Sequence, residues 1–148
     1  RNVFQELAFE VSEKLRKYSF KATGVQITVR DSNLESRQYQ CQIPMATQSS
    51  IILTEQAMEL FNLRYQWHLP IRSLTIRAIG LVSVKENIQL DLFSDYKDIL
   101  KKENLDTAMY ELRQRFGKKM VTFASQLGDI KMPKDMTDIV TLPNGLTR

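Results

Sequence analysis

The sequence has very few of the residues that build most catalytic and metal centres. Its 148 residues include one cysteine, Cys41, and one histidine, His68. A single cysteine excludes an internal disulfide framework and a cysteine-based zinc site, and a single histidine excludes a histidine-rich metal site. Together they leave no nucleophile–base pair for covalent catalysis. Because His68 lies close to Pro70, we interpret it as a turn residue.

Other patterns are absent as well. The five glycines form no glycine-rich phosphate loop, and the carboxylates show no metal-ligand spacing. An independent enzyme is therefore the least favoured class. No apolar run approaches the length of a membrane span, so no membrane partner is expected. The sequence begins with Arg1 rather than Met, which suggests part of a longer protein.

The composition is that of a globular domain with a modest positive charge. Hydrophobic residues make up 43% and charged residues 26%, and the length suits one domain with a real core. The formal net charge is +4. This excess permits a nucleic-acid partner but is too small to establish one.

Hydrophobic periodicity predicts the order α-β-β-α-β over the first 84 residues. Apolar residues at three- and four-residue steps predict helices, with Asn2 capping the first and Ser49 or Ser50 the second. Strict alternation on both sides of a short polar loop predicts an antiparallel hairpin, and a β-branched run predicts a third strand. The predicted helices cover about 2–18 and 50–65, and the strands cover 24–30, 37–43 and 71–84.

These elements predict an α+β fold in which two helices cover one face of an antiparallel sheet. The other face is then open to water, and its residues are amides, hydroxyls and cations without a carboxylate. Such a face can lie along nucleic-acid phosphates. A solvated face is also common in antiparallel sheets, and the residues alone leave both interpretations open. The open-face residues are Gln26, Thr28, Arg30, Gln38, Gln40, Gln42, Ser73, Thr75 and Arg77.

The stretch ENIQLDLFSDY, residues 86–96, admits two interpretations. Ile88, Leu90 and Leu92 alternate with polar residues, as in a half-buried strand, but Phe93 falls on the polar side. The stretch either extends the last strand into the core or displays apolar side chains that a partner protein buries.

A third helix is predicted to begin after Asn104 as N-cap and to end before Gly117. Its apolar stripe either folds back on the domain or packs on a partner. The stripe residues are Leu105, Ala108, Met109, Leu112 and Phe116.

Three motifs in order resemble the C-terminal part of Y-family translesion DNA polymerases of the bacterial polymerase IV and UmuC type. After the α-β-β-α-β order come LPIRSLTIRAIGLVSV, QLDLF and LDTAMYELRQRFGKKMVTFASQL. IRAIGL resembles the last strand of that family's little-finger domain. QLDLF resembles the family's peptide that binds the sliding clamp. The third motif has the family form LDxAxxxLRxRFG…FAS. The resemblance extends to about Leu127.

The resemblance implies four regions. Residues 1–84 would form a little-finger-like DNA-binding domain whose first strand is missing, and 85–103 a linker with the clamp-binding peptide. Residues 104–127 would form a C-terminal helical segment, and 128–148 a tail.

The resemblance also implies two binding sites, one for double-stranded template-primer DNA and one for the bacterial sliding clamp. The expected DNA contacts are Arg77, Thr75, Arg30 and Gln40, followed by Arg37, Gln38 and Ser73. The expected clamp contacts are Gln89, Leu90, Asp91, Leu92 and Phe93.

The parent protein is expected to be a cytoplasmic DNA-directed DNA polymerase that uses Mg²⁺. The palm carboxylates that bind this metal are absent from the sequence, so this chain alone is expected to be inactive and to need no cofactor. A sheet without its first strand has an unpaired edge, which predicts strand pairing or swapping between two copies. The alternative is a non-catalytic adaptor or regulatory domain that binds only protein partners.

Overall fold

The computed structural model describes residues 1–85, 96–117 and 121–127. Its element order confirms the predicted α-β-β-α-β core and the α+β class. Two further helices follow the core. The elements are α1 (Asn2–Lys17), β1 (Phe20–Asp31), β2 (Ser36–Thr47), α2 (Ser50–Arg64), β3 (Ile71–Ser83), α3 (Tyr96–Phe116) and α4 (Ala124–Leu127).

The three strands form one antiparallel sheet in the order β2-β1-β3. Helices α1 and α2 both pack on one face of this sheet, as predicted. The core between them is apolar, and its most buried members include Phe4, Ala8, Val25, Ile27, Val29, Leu53 and Ala57. Strands β2 and β3 are the outer strands, and the expected pairing between copies stays a prediction.

The helix caps are only partly those predicted. The Ser49 hydroxyl accepts the Ile52 backbone N–H at 3.5 Å and caps α2. Asn2, by contrast, lies inside α1, and the residue before the helix is Arg1. The prediction of Asn2 as N-cap is therefore wrong. Its amide Nδ2 instead donates to the backbone oxygen of Ser125, 2.9 Å away.

Two strands are longer than the alternation predicts. Strand β1 begins at Phe20, and its register against β2 shifts between Ala22 and Gly24. Such a bulge breaks the two-residue periodicity, which hid the first part of the strand. Strand β2 continues through Pro44 to Thr47, because an outer strand tolerates a residue without an N–H.

Gly80 in the IRAIGL motif has a backbone conformation that favours glycine. Its φ is +61°, and a Cβ atom there would lie 2.1 Å from the Thr23 hydroxyl oxygen. That hydroxyl donates to the Gly80 backbone oxygen at 2.9 Å. Glycine at this position therefore lets β3 pair closely with β1.

Helix α3 begins at Tyr96, eight residues before the predicted N-cap Asn104. The prediction of Asn104 as N-cap is wrong, and the predicted linker 85–103 overlaps the helix. Tertiary contacts support this first part: the Lys102 ammonium lies 2.8 Å from Glu55 on α2 and 2.9 Å from Asp98 on its own helix.

Two predicted segments lie outside the described residues. They are the QLDLF peptide at 89–93 and the tail at 128–148, so the interpretations of both stay predictions. Within the described ranges, no helix is both long and apolar enough to cross a membrane.

Candidate nucleic-acid interface and the docked C-terminal helix

Strand register brings eight of the nine predicted open-face residues together in rows, and the ninth, Gln42, lies opposite Gly24. Side chains of directly opposed residues in a sheet point to the same face, so the pairing of β1 with both neighbours defines three polar cross-strand rows. The rows are Gln40–Gln26–Arg77, Gln38–Thr28–Thr75 and Ser36–Arg30–Ser73. We call these nine residues the polar sheet face. The alternate residues of β1, Val25, Ile27 and Val29, are buried under the helices.

The charge of this face is entirely positive. It contains two arginines and no carboxylate, and Arg77 on β3 is exposed and forms no ion pair in the described ranges. The Arg30 Nε donates to the backbone oxygen of Leu34 at 3.2 Å. One N–H of Arg30 thus fixes its guanidinium near the β1–β2 turn, and four remain for an external acceptor.

Six of the seven predicted DNA contacts lie on this face, and Arg37 does not. Arg37 opposes Val29 in the sheet register, which places it on the helix side of the outer strand, where it is exposed. Gln26 and Thr28 lie on the central strand of this face. Alternation placed both on the open face, but they were not among the predicted DNA contacts. Ser36 was not predicted, because the hairpin loop was expected to include it.

The acidic, histidine and cysteine residues of the described ranges form no metal centre. Nowhere in the described ranges do three His, Cys, Asp or Glu residues lie together in a way that could hold a metal ion. They therefore provide no ligand set for the Mg²⁺ that the resemblance implies for the parent. Burial, with a smaller effect of the Glu59 charge, raises the pKa of the Cys41 thiol, which is therefore protonated at neutral pH. His68 is exposed in the bend before Pro70, as predicted.

Helix α3 packs on the helical side of the domain through a buried carboxylate. Asp106 is 1% exposed. Its Oδ1 accepts the Ser50 hydroxyl at 2.6 Å, and its Oδ2 accepts the Ser50 backbone N–H. Arg16 of α1 lies 3.7 Å from the same carboxylate. An acidic side chain from α3 thus sits at the N-terminus of α2, where the helix dipole favours negative charge.

A second polar anchor lies near the end of α3. Arg113 is 5% exposed, and its guanidinium lies 3.7 Å from the centre of the Phe9 ring on α1. Its Nε donates to the backbone oxygen of Val121 at 2.8 Å, and its Nη2 is 4.0 Å from Glu6. One side chain therefore joins α1, α3 and the segment that leads into α4.

Lys102 adds a third contact at the start of the helix. Hydrogen bonds to Glu55 and then Asp98 raise the pKa of the Lys102 ammonium. The lysine therefore stays charged at neutral pH, and its own charge, and with it the pairing, is lost as pH rises through that raised pKa.

The predicted apolar stripe of α3 is mostly exposed. Of its five members only Met109 is buried, whereas Leu105 is 52% exposed, Leu112 42% and Phe116 58%. The helix does fold back on the domain, but it docks through Asp106 and Arg113. Hydrophobic periodicity cannot indicate such a face, because its buried charges are stabilised by specific tertiary partners.

Comparison with known proteins shows the family of the chain. Residues 1–92 match the model of the impB/mucB/samB family C-terminal domain. The chain belongs to this family. It is also similar to DNA polymerase IV of Acetivibrio thermocellus, with 32% identity over 111 residues, or 75% of this chain. The chain spans 28% of that relative's length. It is thus a Y-family polymerase C-terminal domain, as the resemblance implied.

In this Y-family C-terminal domain, helix α3 lies beyond residues 1–92, the stretch that the family model covers. We predict that Asp106→Ala loosens the helix, because it leaves the buried Ser50 N–H and hydroxyl without their acceptor. Such a loss costs about 1–3 kcal/mol of the free energy of unfolding. Urea denaturation would measure the cost, and hydrogen exchange of residues 96–117 would become faster.

Glu111→Ala is the matched control, since Glu111 is an exposed carboxylate on the same helix and its removal should change neither quantity. Equal hydrogen exchange of α3 in Asp106→Ala and the unmodified chain would contradict the docking role of Asp106.

Proposed function

We propose that this domain grips the template-primer duplex for a translesion DNA polymerase and attaches that polymerase to the sliding clamp. The observation that carries the proposal is the polar sheet face. Its three rows contain arginine, amide and hydroxyl groups and no carboxylate. Every group in these rows except the arginine side chains can both donate and accept, and all can donate to phosphate oxygens.

The width of the sheet favours contacts with the DNA backbone. Neighbouring strands lie about 4.8 Å apart, so β2 and β3 are roughly 10 Å apart. The major groove, about 12 Å wide, admits a two-stranded ribbon. A three-stranded face with its side chains is too wide to enter fully. The outer strands then meet the two sugar–phosphate walls, with Arg77 on one side and Gln38 and Gln40 on the other.

The chemistry of the face suits a grip that ignores sequence. Contacts with phosphates hold a duplex in place but carry no direct base information. Such a grip suits a polymerase that must act on any sequence and on damaged templates. Nucleotidyl transfer itself belongs to the parent protein, whose Mg²⁺ would be held by carboxylates of its palm.

We further propose that Gln89–Phe93 is the clamp-binding peptide. Leu92 and Phe93 would enter an apolar pocket of the clamp, which contributes about 1.5–3 kcal/mol for each side chain, while Gln89 hydrogen-bonds at its mouth. Ordering the peptide offsets part of this gain. The peptide joins β3, paired in the sheet, to α3, docked on α1 and α2. A clamp bound there is therefore tethered close to the DNA-binding face.

We predict that DNA binding by this domain weakens with salt and depends on the two arginines of the polar sheet face. Each phosphate contact adds about 0.9 to the slope of log affinity against log salt concentration. The variant Arg30→Ala/Arg77→Ala should therefore lower that slope by about 2 and weaken binding to every duplex sequence alike. Fluorescence anisotropy with labelled duplexes of two unrelated sequences would measure both effects.

Arg64→Ala is the control, because Arg64 is exposed at the end of α2, on the helical side of the sheet. An unchanged slope in the double variant would refute the proposed DNA site. No binding of the domain to any duplex at low salt would instead favour the adaptor function.

We predict micromolar or weaker binding of this chain to a bacterial sliding clamp, lost in Leu92→Ala/Phe93→Ala. The loss follows from removal of the two buried anchors. Surface plasmon resonance on immobilised clamp would measure this binding. Leu112→Ala is the apolar control, because Leu112 is an exposed leucine on α3. Equal binding by the double variant and the unmodified chain would exclude QLDLF as the anchor.

A further inference from the structure

A groove runs between α1, α2 and the segment that leads into α4. Its volume is about 1030 Å³, and its apolar lining includes Ile51, Met58, Leu63 and Phe123. Leu63 is 74% exposed, although it is a large apolar side chain. Burial of such a side chain is favourable, so this groove suits an apolar occupant.

The same groove has two carboxylates on its α2 side and Arg1 at the start of α1. Glu55 and Glu59 lie one helical turn apart on α2, and both line the groove. Glu55 already binds a lysine, since the Lys102 ammonium lies 2.8 Å from its carboxylate. Within the described ranges no cation lies at ion-pair distance from Glu59. The α2 side of the groove can therefore accept a second cationic side chain.

The chain itself contains a segment with this chemistry next to the groove. Phe123, Ala124 and Ser125 form one wall, and the described residues end at Leu127. The sequence then continues for 21 residues, beginning GDIKMPKD. Two apolar and two basic side chains lie here between Asp129 and Asp135, namely Ile130, Lys131, Met132 and Lys134.

We propose that the segment Ile130–Lys134 of the same chain docks in this groove. Its apolar side chains would cover Met58 and Leu63, and one of its lysines would pair with Glu59. The docked segment would also hold α4 against the start of α1. The proposal does not depend on DNA or clamp binding, because the groove lies on the helical side of the sheet.

The length of the connection favours docking within one chain. Ile130 lies five residues beyond Ser125 of the groove wall, a reach of at most about 18 Å. A short flexible connection gives an effective concentration in the millimolar range. Weak apolar and ionic contacts are therefore enough to keep the segment bound.

Paramagnetic broadening in the full chain tests the proposal. Cys41→Ser removes the only native thiol, and Thr137→Cys then carries a nitroxide just beyond the proposed segment. The amide signals of Met58 and Leu63 should broaden several-fold more than that of Thr75 on the polar sheet face. Glu59→Lys should reduce this broadening to the Thr75 level, and added salt should weaken it.

Control variants make each outcome decisive. Glu35→Lys introduces the same charge change in the β1–β2 turn and should leave the broadening unchanged. Equal broadening at all three amides, or strongest broadening on α3 near Leu105 and Leu112, would overturn the proposal. Broadening in a mixture of nitroxide-labelled and isotope-labelled chains would also overturn it, because the occupant would then be a second copy.

Discussion

The burial of one face of β1 is the constraint on which the rest of the structure depends. As the central strand, β1 pairs with both neighbours, and Val25, Ile27 and Val29 are buried beneath α1 and α2. Because side chains alternate along a strand, this burial turns Gln26 and Thr28 to the opposite side. A slip of one residue would exchange the two faces. The apolar core therefore fixes the register of the polar sheet face.

On the helical side of the sheet, buried polar contacts fix the position of α3. Here the N-terminus of α2 is the organising feature, with Ser49 as its cap and Asp106 of α3 as a second, buried acceptor. The helix dipole and the unpaired N–H groups of the first turn favour a carboxylate at this point. The domain thus docks its own C-terminal helix on the helical face and leaves the polar sheet face open.

Periodicity predicted the order of the first five elements because each is half-buried, as in the alternation of Val25, Ile27 and Val29. Periodicity could not predict features that depend on contacts between elements. The bulge between Ala22 and Gly24 hid the beginning of β1. The charged first turns of α3 resembled a linker because they dock through Lys102, whose partner Glu55 is on α2 and distant in sequence.

The candidate site was predictable to a similar extent. Alternation alone placed Arg77 and Gln40 on one face, and the register then showed that they belong to one cross-strand row. Arg37 was among the contacts that the resemblance implied, although its parity along β2 assigns it to the other side. Asp106 and Arg113 were not recognised as buried anchors, because a buried charge is identified by its partners and these are distant in sequence.

An NMR titration of the isotope-labelled chain with a short duplex tests the central claim most directly. If the polar sheet face grips DNA, the amides of Gln26, Thr28 and Arg77 shift at low salt and return at high salt, while those of α2 stay constant. Shifts confined to α1 and α2, with the sheet amides unchanged, would contradict the account.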